Sequence, residues 1–479
     1  MLVCTSLRCV LIGCLCAGCS LQAAKPIEPA LPAAFDGASA HAAVHWPSEE
    51  WYHGFASPEL DGLIAAAISS NFDLTAARAR IAQADARARQ AHAGILPSVD
   101  AGGNTNYLAG HSVNGSAHET DWAALLSASY EVDFWGKNRA AANSARYLAA
   151  ASRADRDTVA LTALAGVADG YFQVLALRER LAVARSNVNT ARDLLQIVES
   201  RYAAGLSNPV EVATQRAAVA AAELTVPELE QLQEEALASL ALLLGRAPEG
   251  FTIEGAPLES LQEPAVAAGL PSDLLRRRPD VFTAEANLGS ASADLVAARA
   301  ALFPSLTLTA AGGVQNPALN AAITALSGVG PTLNLGASLA QPIFDGGRLR
   351  AVRAEAQAKE QEAAEKYRAA IAAALVDVEN SLSAIQHLDA AGGFQNDNVT
   401  QSERAFEGAR LRYKEGYGDF LSVLEAQKAV YSVRDQFIQY KLARLQTLVS
   451  LCKALGGGWQ APDAARPQAT ARSIAPPQS

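Results

Sequence analysis

Cysteine is almost absent from the body of this chain. Five of its six cysteines lie within the first 19 residues, and only Cys452 follows them. One cysteine cannot form a disulfide within a chain, so the stability of the body has to come from packing and from association between chains. Because Cys452 lies in an apolar stretch, we expect it to be a small buried residue.

Aromatic residues and positive charge are also scarce. Only 6% of the residues are aromatic although 50% are hydrophobic, because alanine supplies much of the apolar content. Alanine is the best helix former and has a small side chain, so long and closely packed helices are expected. The formal net charge of −10 argues against a nucleic-acid partner, since such proteins present a basic surface.

Motifs of catalysis are missing as well. The sequence has no Gly-x-Ser-x-Gly elbow, no P-loop and no His-Glu-x-x-His motif. His41 and His45 are four residues apart, but no further ligand accompanies them in a Pro- and Ala-rich segment. We therefore predict no enzyme, no cofactor and no metal site.

The sequence does contain an internal repeat. Segment 201–205 reads Arg-Tyr-Ala-Ala-Gly and segment 412–416 reads Arg-Tyr-Lys-Glu-Gly, at an offset of 412 − 201 = 211. Leu-Pro-Ser-Val at 96–99 matches Phe-Pro-Ser-Leu at 303–306, with 304 − 97 = 207. Phe-Trp-Gly-Lys at 134–137 matches Phe-Asp-Gly-Gly at 344–347, with 344 − 134 = 210. Three landmarks in one order predict a tandem duplication.

Each copy is predicted to run helix, strand, strand, long helix, turn, helix. In the first copy a helix over 58–92 breaks near Asn71, strands cover 97–107 and 122–133, and a Gly-, Asn- and Ser-rich loop lies between them. A helix over 139–200 would then be roughly 90 Å long. Asn208, Pro209 and Glu211 are typical of an N-cap, a first helical position and a capping-box carboxylate. The return helix ends near 244, with Pro227 inside it.

The second copy repeats this order. It has a helix over 280–301, strands around 306–310 and 333–339, and a helix of about 65 residues from 346. Gly416 and Gly418 end that helix, Asp419 caps the next one, and the last helix ends at 456. The chain thus divides into 1–18, a signal peptide; 19–57, a lipid-anchored extended segment; 58–245, the first repeat; 246–270, a connector; 271–458, the second repeat; and 459–479, a disordered tail.

The four strands have about the length that crosses an outer membrane. Four strands cannot close a barrel, and an open sheet edge leaves backbone groups unpaired in lipid. Copies must therefore combine, and three chains would give twelve strands. Aromatic residues near the predicted strand ends suit a membrane-interface girdle, or are ordinary core residues: Tyr107, Trp122, Tyr130, Phe134, Trp135 and Phe344.

The first 19 residues are typical of a secretory leader. Arg8 is their only charge, and a short apolar run precedes Leu-Cys-Ala-Gly-Cys at 15–19. The end of this stretch resembles a bacterial lipobox with Cys19 as the acylated residue. Cys14 is the alternative acylation site, and a plain signal peptide without lipid is a third reading. Ser20, in place of Asp, suits sorting to the outer membrane.

Several motifs together resemble one family. Trp51 precedes Ser-Pro-Glu-Leu-Asp at 57–61, Leu-Leu-Arg-Arg-Arg-Pro-Asp-Val occupies 274–281, and both Arg-Tyr-x-x-Gly segments stand at helical turns. Over about 45–458 the chain resembles the outer membrane factors, the TolC-like and OprM-like exit ducts of tripartite efflux pumps. The resemblance implies an α+β membrane protein. It would form a trimeric twelve-stranded outer-membrane β-barrel, four strands per chain, continuous with a long periplasmic α-helical barrel.

The same resemblance implies partners and sites. The partners would be two further copies, outer-membrane lipid, a periplasmic adaptor and an inner-membrane transporter, often of the resistance-nodulation-division class, with toxic small molecules as cargo. In the family the helix tips close like an iris; the gate positions here are Glu211, Asp419, Ser422 and Glu425. The adaptor-contact positions at the tips are Arg201, Tyr202, Gly205, Leu206, Arg412, Tyr413, Gly416 and Tyr417.

Some of these positions have a competing role. Glu211 could serve only as a cap partner, and Tyr202 and Tyr413 are expected to brace the two turns. Gly418 stands where some relatives carry an arginine that links neighbouring hairpins, so the closed state would be held differently here. At the level of function, two alternatives remain open: a type I protein-secretion exit channel, and a structural coiled-coil lipoprotein without a pore.

Overall fold

The computed structural model describes Pro32, Ala34, Phe35 and residues 46–112, 115–266, 269–316 and 330–461. The predicted signal peptide and acylation site, His41 and His45, and the predicted tail from 462 onward lie outside these described residues.

The first half of the chain begins with a 3-10 turn, Trp51–Phe55, and contains α1 (Pro58–Ser70), α2 (Phe72–Ala93), β1 (Ser98–Ser112), β2 (Gly115–Val132), α3 (Lys137–Ala203) and α4 (Pro209–Leu243). The second half contains α5 (Leu274–Arg277), α6 (Pro279–Ala300), β3 (Ser305–Asn316), β4 (Gly330–Ala340), α7 (Arg348–Lys414) and α8 (Phe420–Ala454). Two short 3-10 helices, Leu258–Ser260 and Pro271–Asp273, lie in the connector region. We call α3 with α4 hairpin 1, and α7 with α8 hairpin 2.

The two hairpins are copies of each other without an insertion or deletion. Helices α3 and α7 both have 67 residues, and α4 and α8 both have 35. Their first residues differ by 348 − 137 = 211 and by 420 − 209 = 211. The predicted duplication is therefore confirmed, and the offset that the Arg-Tyr-x-x-Gly segments gave holds along both hairpins.

The prediction of a loop between the first two strands is wrong. Strands β1 and β2 continue through the Gly-, Asn- and Ser-rich residues, with Tyr107 opposite Thr120 and Ser112 opposite Gly115. The ladder consists of backbone hydrogen bonds, so small polar side chains do not stop it once a neighbouring strand supplies the partners. Tyr107 and Trp122 consequently lie inside the strands and not at their ends.

The strands form one antiparallel sheet in the order β1-β2-β3-β4. β2 and β3 pair from Trp122 opposite Asn316 to Val132 opposite Leu306. The outer edges of β1 and β4 are covered by no other strand of the described chain. Each of these two edges presents a row of backbone donors and acceptors to a further strand.

An aromatic cluster stands where β2 ends and β3 begins. The ring of Trp135 stacks on Phe303 at 4.7 Å between centroids, and Phe134 meets Trp135 edge-on at 5.0 Å. The indole Nε1 of Trp135 donates to the carbonyl oxygen of Pro304 at 2.8 Å. An apolar ring with a satisfied polar tip suits a membrane interface.

The described residues divide into two compact units: those within Ala82–Ala151 and Ala284–Tyr367 form one, and those within 32–81, Ser152–Thr283 and 368–461 form the other. The first contains the sheet. The core of the second is built on α3, where Tyr171 and Phe172 are fully buried and Phe55 lies 4.9 Å from the Phe172 ring. The most apolar window of α3 would suit a membrane span by composition, but half of it is buried inside the protein.

The Ser-Pro-Glu-Leu-Asp motif fastens the connector to this core. Ser57 caps α1 by accepting from Leu60 N at 3.3 Å. The carboxylate of Glu59 accepts from the backbone of Glu254 at 2.6 Å and of Gly255 at 2.9 Å. Glu59 therefore holds a segment that has no strand or helix of its own, which gives this motif a structural role.

Candidate functional site: the hairpin tips

The turn of hairpin 1 ends one helix and starts the next. Gly205 has a φ of 74°, and Leu206 N donates to Arg201 O at 2.8 Å while Gly205 N donates to Tyr202 O at 3.0 Å. This is the Schellman arrangement, which requires the left-handed backbone that glycine adopts without strain. Asn208 then caps α4, as predicted, by accepting from two backbone N–H groups at 3.0 Å.

The turn of hairpin 2 repeats this geometry. Gly416 has a φ of 85°, and Tyr417 N donates to Arg412 O at 2.8 Å. Asp419 caps α8, as predicted, accepting from Ser422 N at 2.8 Å and from Ser422 Oγ at 2.7 Å. The hydrogen bonds from Ser422 hold the pKa of Asp419 below its ordinary value. Two proposed gate residues are thus bonded to each other within one cap.

Glu211 joins the two hairpins. The phenol of Tyr413 donates to Glu211 Oε2 at 2.7 Å, and Ser207 Oγ donates to the same oxygen at 2.7 Å. Asn208 Nδ2 donates to Glu211 Oε1 at 3.1 Å. The capping-box role expected for Glu211 would use the backbone N–H of Asn208. Its carboxylate instead accepts from three side chains, because Tyr413 and Ser207 lie within its reach.

Arg201 completes this contact from the other side of Tyr413. Its guanidinium carbon lies 4.7 Å from the centre of the Tyr413 ring, and Nη1 donates to the backbone oxygen of Tyr413 at 2.9 Å. Nη2 also donates to Leu206 O at 3.3 Å. We call Arg201, Ser207, Glu211 and Tyr413 the tip cluster. Burial raises the pKa of Tyr413, and its hydrogen bond to Glu211 raises that pKa further, so the phenol remains a proton donor at neutral pH.

The two tyrosines of the repeat differ in environment. Tyr413 is 2% exposed and packs near Phe420, with 5.8 Å between ring centroids, whereas Tyr202 is 47% exposed. The expectation that both brace the turns holds for Tyr413. For Tyr202 it stays a prediction: its side chain is half exposed, and Pro209 stands in hairpin 1 where hairpin 2 has Phe420.

The remaining predicted positions lie on the surface of the tips. Glu425 is exposed, and within the described part of the chain its carboxylate has no ion-pair partner. Leu206 and Tyr417 are 65% and 81% exposed, and Val210 and Leu421, in the helical turns that follow, are also exposed, so each tip places large side chains with apolar surface in solvent. Sequence reasoning missed Ser207 and the ring contact of Arg201, although the Arg-Tyr-x-x-Gly spacing marks the residue that makes the latter. No described group of three His, Cys, Asp or Glu side chains is placed to hold a metal ion.

The family profile described as outer membrane efflux protein matches this chain twice, at residues 63–246 and 270–457. The chain belongs to the outer membrane efflux protein family. The pyoverdine export outer membrane protein OpmQ of Pseudomonas aeruginosa is 45% identical over 420 residues, covering 86% of this chain and 88% of OpmQ. The toluene efflux pump outer membrane protein TtgF of Pseudomonas putida is 32% identical, over 92% of this chain and 94% of TtgF.

Solved channels share the fold. The outer-membrane channel OprN superposes with a TM-score of 0.84 at 27% identity, over 92% of this chain and 100% of OprN. The open state of the Neisseria gonorrhoeae MtrE outer membrane channel superposes with a TM-score of 0.80 at 28% identity, over 91% of this chain and 98% of MtrE. The predicted fold class is confirmed: the protein is an α+β outer-membrane channel built from two repeats, with four strands per chain.

Its location is the outer membrane of a Gram-negative bacterium, and its general role is that of an efflux channel, as the family and these relatives share. Each relative named above is described as a channel or as an export or efflux protein, and none as an enzyme.

Proposed function

We propose that three copies of this chain form one passive duct, which carries small toxic molecules from the periplasm to the exterior. The unpaired sheet edges carry this proposal. β1 and β4 each present an edge that no described strand covers, and lipid cannot satisfy those backbone groups. Three four-stranded sheets joined edge to edge close a twelve-stranded barrel, an even number in the usual range.

The duct is gated at the periplasmic tips of the hairpins. The tip cluster supports this, because it ties the two hairpins of one chain together through a carboxylate and a guanidinium, and charge-assisted contacts are stronger than neutral ones. Glu425 is the proposed lining carboxylate, and three copies near one axis would repel each other and attract cations. Glu211, Asp419 and Ser422 complete the proposed gate.

The proposed partners follow from the exposed surfaces of the tips. Leu206 and Tyr417 are large, exposed and placed at the turns, which suits docking of a periplasmic adaptor. The adaptor would in turn contact an inner-membrane transporter, which in the resembled family is often of the resistance-nodulation-division class. Arg201, Tyr202, Gly205, Arg412, Tyr413 and Gly416 form the rest of this proposed surface. Acylation of Cys19 would anchor the segment 19–57 in the outer membrane, and the domain boundaries given above stay predictions.

Pyoverdine is the cargo to test first. Two OpmQ proteins named for pyoverdine export, from Pseudomonas aeruginosa and Pseudomonas putida, are 45% and 42% identical to this chain. Relatives named for toluene and for cations are 32% and 29% identical. A siderophore of the pyoverdine type is therefore favoured over solvents and metal ions as the exported compound.

The test is deletion of the gene in its host. The amount of pyoverdine-type siderophore is then measured in the periplasm and in the medium. The resistance of the cells to solvents and antibiotics is measured as well. Siderophore retained in the periplasm and released again on complementation would support the proposal. Retention of a polypeptide would favour the secretion channel instead. Unchanged distribution of every compound, with unchanged resistance, would favour the structural lipoprotein and overturn the duct.

A further inference from the structure

A groove of about 220 Å³ lies where the strands meet the first turns of α3 and α7. Glu131 of β2, Ser305 of β3 and Ala340 of β4 line it from the sheet. Lys137 and Arg348 line it from the helices. The groove is smaller than the pockets of about 300–1,000 Å³ that enclose a whole drug-sized ligand. It therefore has room for one part of a larger molecule.

The register of the sheet shows to which side this groove opens. Ser305 lies opposite Ala340, and Thr307, two residues further along β3, lies opposite Glu131. Opposite residues, and residues two apart along a strand, point to the same face of a sheet. Leu339, which neighbours Ala340 and points to the other face, is 71% exposed. Because the apolar face of an outer-membrane barrel meets lipid, the groove opens toward the interior of the channel.

Aromatic rings form one wall of the groove. Trp135 stacks on Phe303, Phe134 meets Trp135 edge-on, and all three side chains line the groove. They remain partly exposed, at 39% for Trp135, 42% for Phe303 and 58% for Phe134. The ring surface that the cluster does not use for its own contacts is therefore available to a further planar ring, in a stacked or edge-to-face arrangement.

The carboxylates around the groove have partners within the chain. Glu131 forms an ion pair with Lys137 at 2.5 Å. Asp133 accepts from the backbone N–H of Arg139 at 2.8 Å and pairs with the guanidinium of the same residue at 3.1 Å. Asp345 accepts from two backbone N–H groups at the start of α7, at 3.0 and 2.9 Å. The negative charges of this region are thus paired or hydrogen-bonded before any ligand arrives.

Arg348 supplies a positive charge to the groove that the chain does not pair. It corresponds to Lys137 of the first repeat, since 348 − 137 = 211. The carboxylate that pairs with Lys137 has no counterpart, because Gln341 and Pro342 stand 210 and 211 residues after Glu131. Among the described residues, the exposed guanidinium of Arg348 has no ion-pair partner. The duplication thus leaves one of two equivalent cations available to an anion.

We propose that this groove is a cargo-binding site inside the duct, and that it takes planar aromatic groups that carry a negative charge. The aromatic wall contacts the planar group, and the guanidinium of Arg348 donates to its anionic oxygens, for which it offers a fork of two N–H groups. Binding inside a channel has to be weak enough for release, and a groove that holds only part of the cargo meets this requirement. The inference rests on the proposed function.

Binding of fluoronaphthoate to the detergent-solubilised protein, followed by fluorine NMR line broadening, tests the proposal. The mass of the native assembly is measured first by light scattering for every variant. Arg348→Gln should weaken binding of the anion about fivefold, the effect of about one exposed ion pair, and Arg348→Lys should weaken it less. Arg350→Gln is the matched control and should bind as the wild type does, because Arg350 is exposed near the same helix end but does not line the groove.

Uncharged and positively charged probes separate the role of the charge from that of the rings. The neutral fluoronaphthamide should bind the wild type about fivefold more weakly than the anion, and Arg348→Gln should abolish this preference. Phe134→Ala should weaken binding of the acid and the amide alike, because both use the aromatic wall. Phe344→Ala is its control: Phe344 is the equivalent residue, by 344 − 134 = 210, and it does not line the groove.

The outcomes separate this inference from the proposed function. A trimer that conducts in planar bilayers but binds no fluoronaphthoate, or binds it equally well as Arg348→Gln, overturns the inference and leaves the duct standing. The same holds if Arg350→Gln loses as much binding as Arg348→Gln, since the anion then responds only to summed charge. Equal binding of fluoronaphthoate and the cationic fluoronaphthylmethylamine overturns the assigned class of cargo. An assembly that never conducts overturns the duct and the cargo-binding site together.

Discussion

The phenol of Tyr413 and the carboxylate of Glu211 lie 2.7 Å apart although 202 residues separate them in the chain. The bond joins the last turn of one long helix to the first turn of another, in the two different hairpins. Ser207 donates to the same carboxylate oxygen, and Arg201 lies over the Tyr413 ring. A link of this kind opposes separation of the hairpins, which is the movement that opening at the tips requires.

The cap of α8 should depend on pH through Asp419. Its pKa is lowered from 3.8 in the folded protein, so the cap contributes stability above that ordinary value and loses it as the pH falls through the lowered pKa. We expect the protection factor of the Ser422 amide, which is the exchange rate corrected for its intrinsic pH dependence, to be high at pH 7 and to fall at pH 3 and below. The variant Asp419→Asn keeps an acceptor and should show no such dependence. An equal fall of the protection factor in both proteins would contradict the assignment.

Arg278 should be required for the stability of the second repeat. Its guanidinium is buried and donates to Asp280 at 2.6 Å, Asp377 at 3.0 Å and Ala454 O at 3.2 Å. Removal of the guanidinium takes away a donor from all three groups, although Asp280 keeps its bond from Val281 N at 2.9 Å. Arg278→Met should therefore lower the free energy of unfolding by about 3 kcal/mol. Denaturant titration of the detergent-solubilised protein measures it.

The control for Arg278 is Arg276, which is exposed in the same helical turn. Arg276→Met should change the free energy of unfolding by less than about 0.5 kcal/mol, as surface substitutions commonly do. Comparable losses in the free energy of unfolding of the two variants would show that the run of three arginines acts through its summed charge. They would contradict the specific role of the buried Arg278.

Gly392 should be needed because of Tyr440. A Cβ at position 392 would lie 2.5 Å from the Tyr440 hydroxyl, which donates to Leu388 O at 3.1 Å. In hairpin 1 the equivalent positions are Leu181 and Leu229, two members of one buried cluster. Gly392→Leu should therefore cost about 1–3 kcal/mol by overpacking.

The double variant Gly392→Leu with Tyr440→Leu copies hairpin 1 and should recover most of that loss in a double-mutant cycle. Gly393 is the matched control, because a Cβ there meets no atom within 4 Å. Gly393→Ala should stabilise the helix by up to about 1 kcal/mol. If the losses in free energy of unfolding from the 392 and 440 substitutions simply add in the double variant, the larger side chain at 392 does not take the space left by the tyrosine at 440, and the explanation is contradicted.

The aromatic cluster beside the sheet should depend on the indole of Trp135. Trp135→Phe keeps a ring against Phe303 but removes the donor to Pro304 O, and should cost about 1 kcal/mol. Trp135→Ala removes the ring contact as well and should cost about 1 kcal/mol more. The temperature at which the assembly loses its β-sheet circular dichroism ranks the three proteins. A Phe variant as weak as the Ala variant would show that the hydrogen bond dominates.

The helices, their order and the duplication could be predicted because the signals are local and occur twice. The glycine at each hairpin turn, with Asn208 or Asp419 after it, marks the boundary through chemistry that acts within a few residues. The extent of β1 and β2 could not be predicted in the same way. Their polar residues lack alternation, and only the neighbouring strand supplies the hydrogen bonds that keep them extended.

The contacts of the tip cluster could not be predicted from the sequence either. Tyr413 and Tyr202 stand at the same position of two equivalent pentapeptides, yet only Tyr413 is buried in the chain. Phe420 packs near it from the start of α8, and Glu211 and Arg201 contact it from the other hairpin. Sequence identified Glu211 as a candidate from its distance to a glycine. It did not identify the partner, since the pairing of a residue in one hairpin with a residue in the other depends on how α3 and α8 pack.

Single-channel conductance in planar bilayers tests the central claim most directly, because it reads the opening of the tips in the assembled protein. The wild type should conduct rarely and weakly. Tyr413→Phe and Glu211→Gln, which weaken the bond between the hairpins, should raise the open probability at least several-fold, and Tyr417→Phe, at an exposed position of the same turn, should match the wild type. If the wild type and all of these variants assemble correctly and none of them conducts, the account is contradicted.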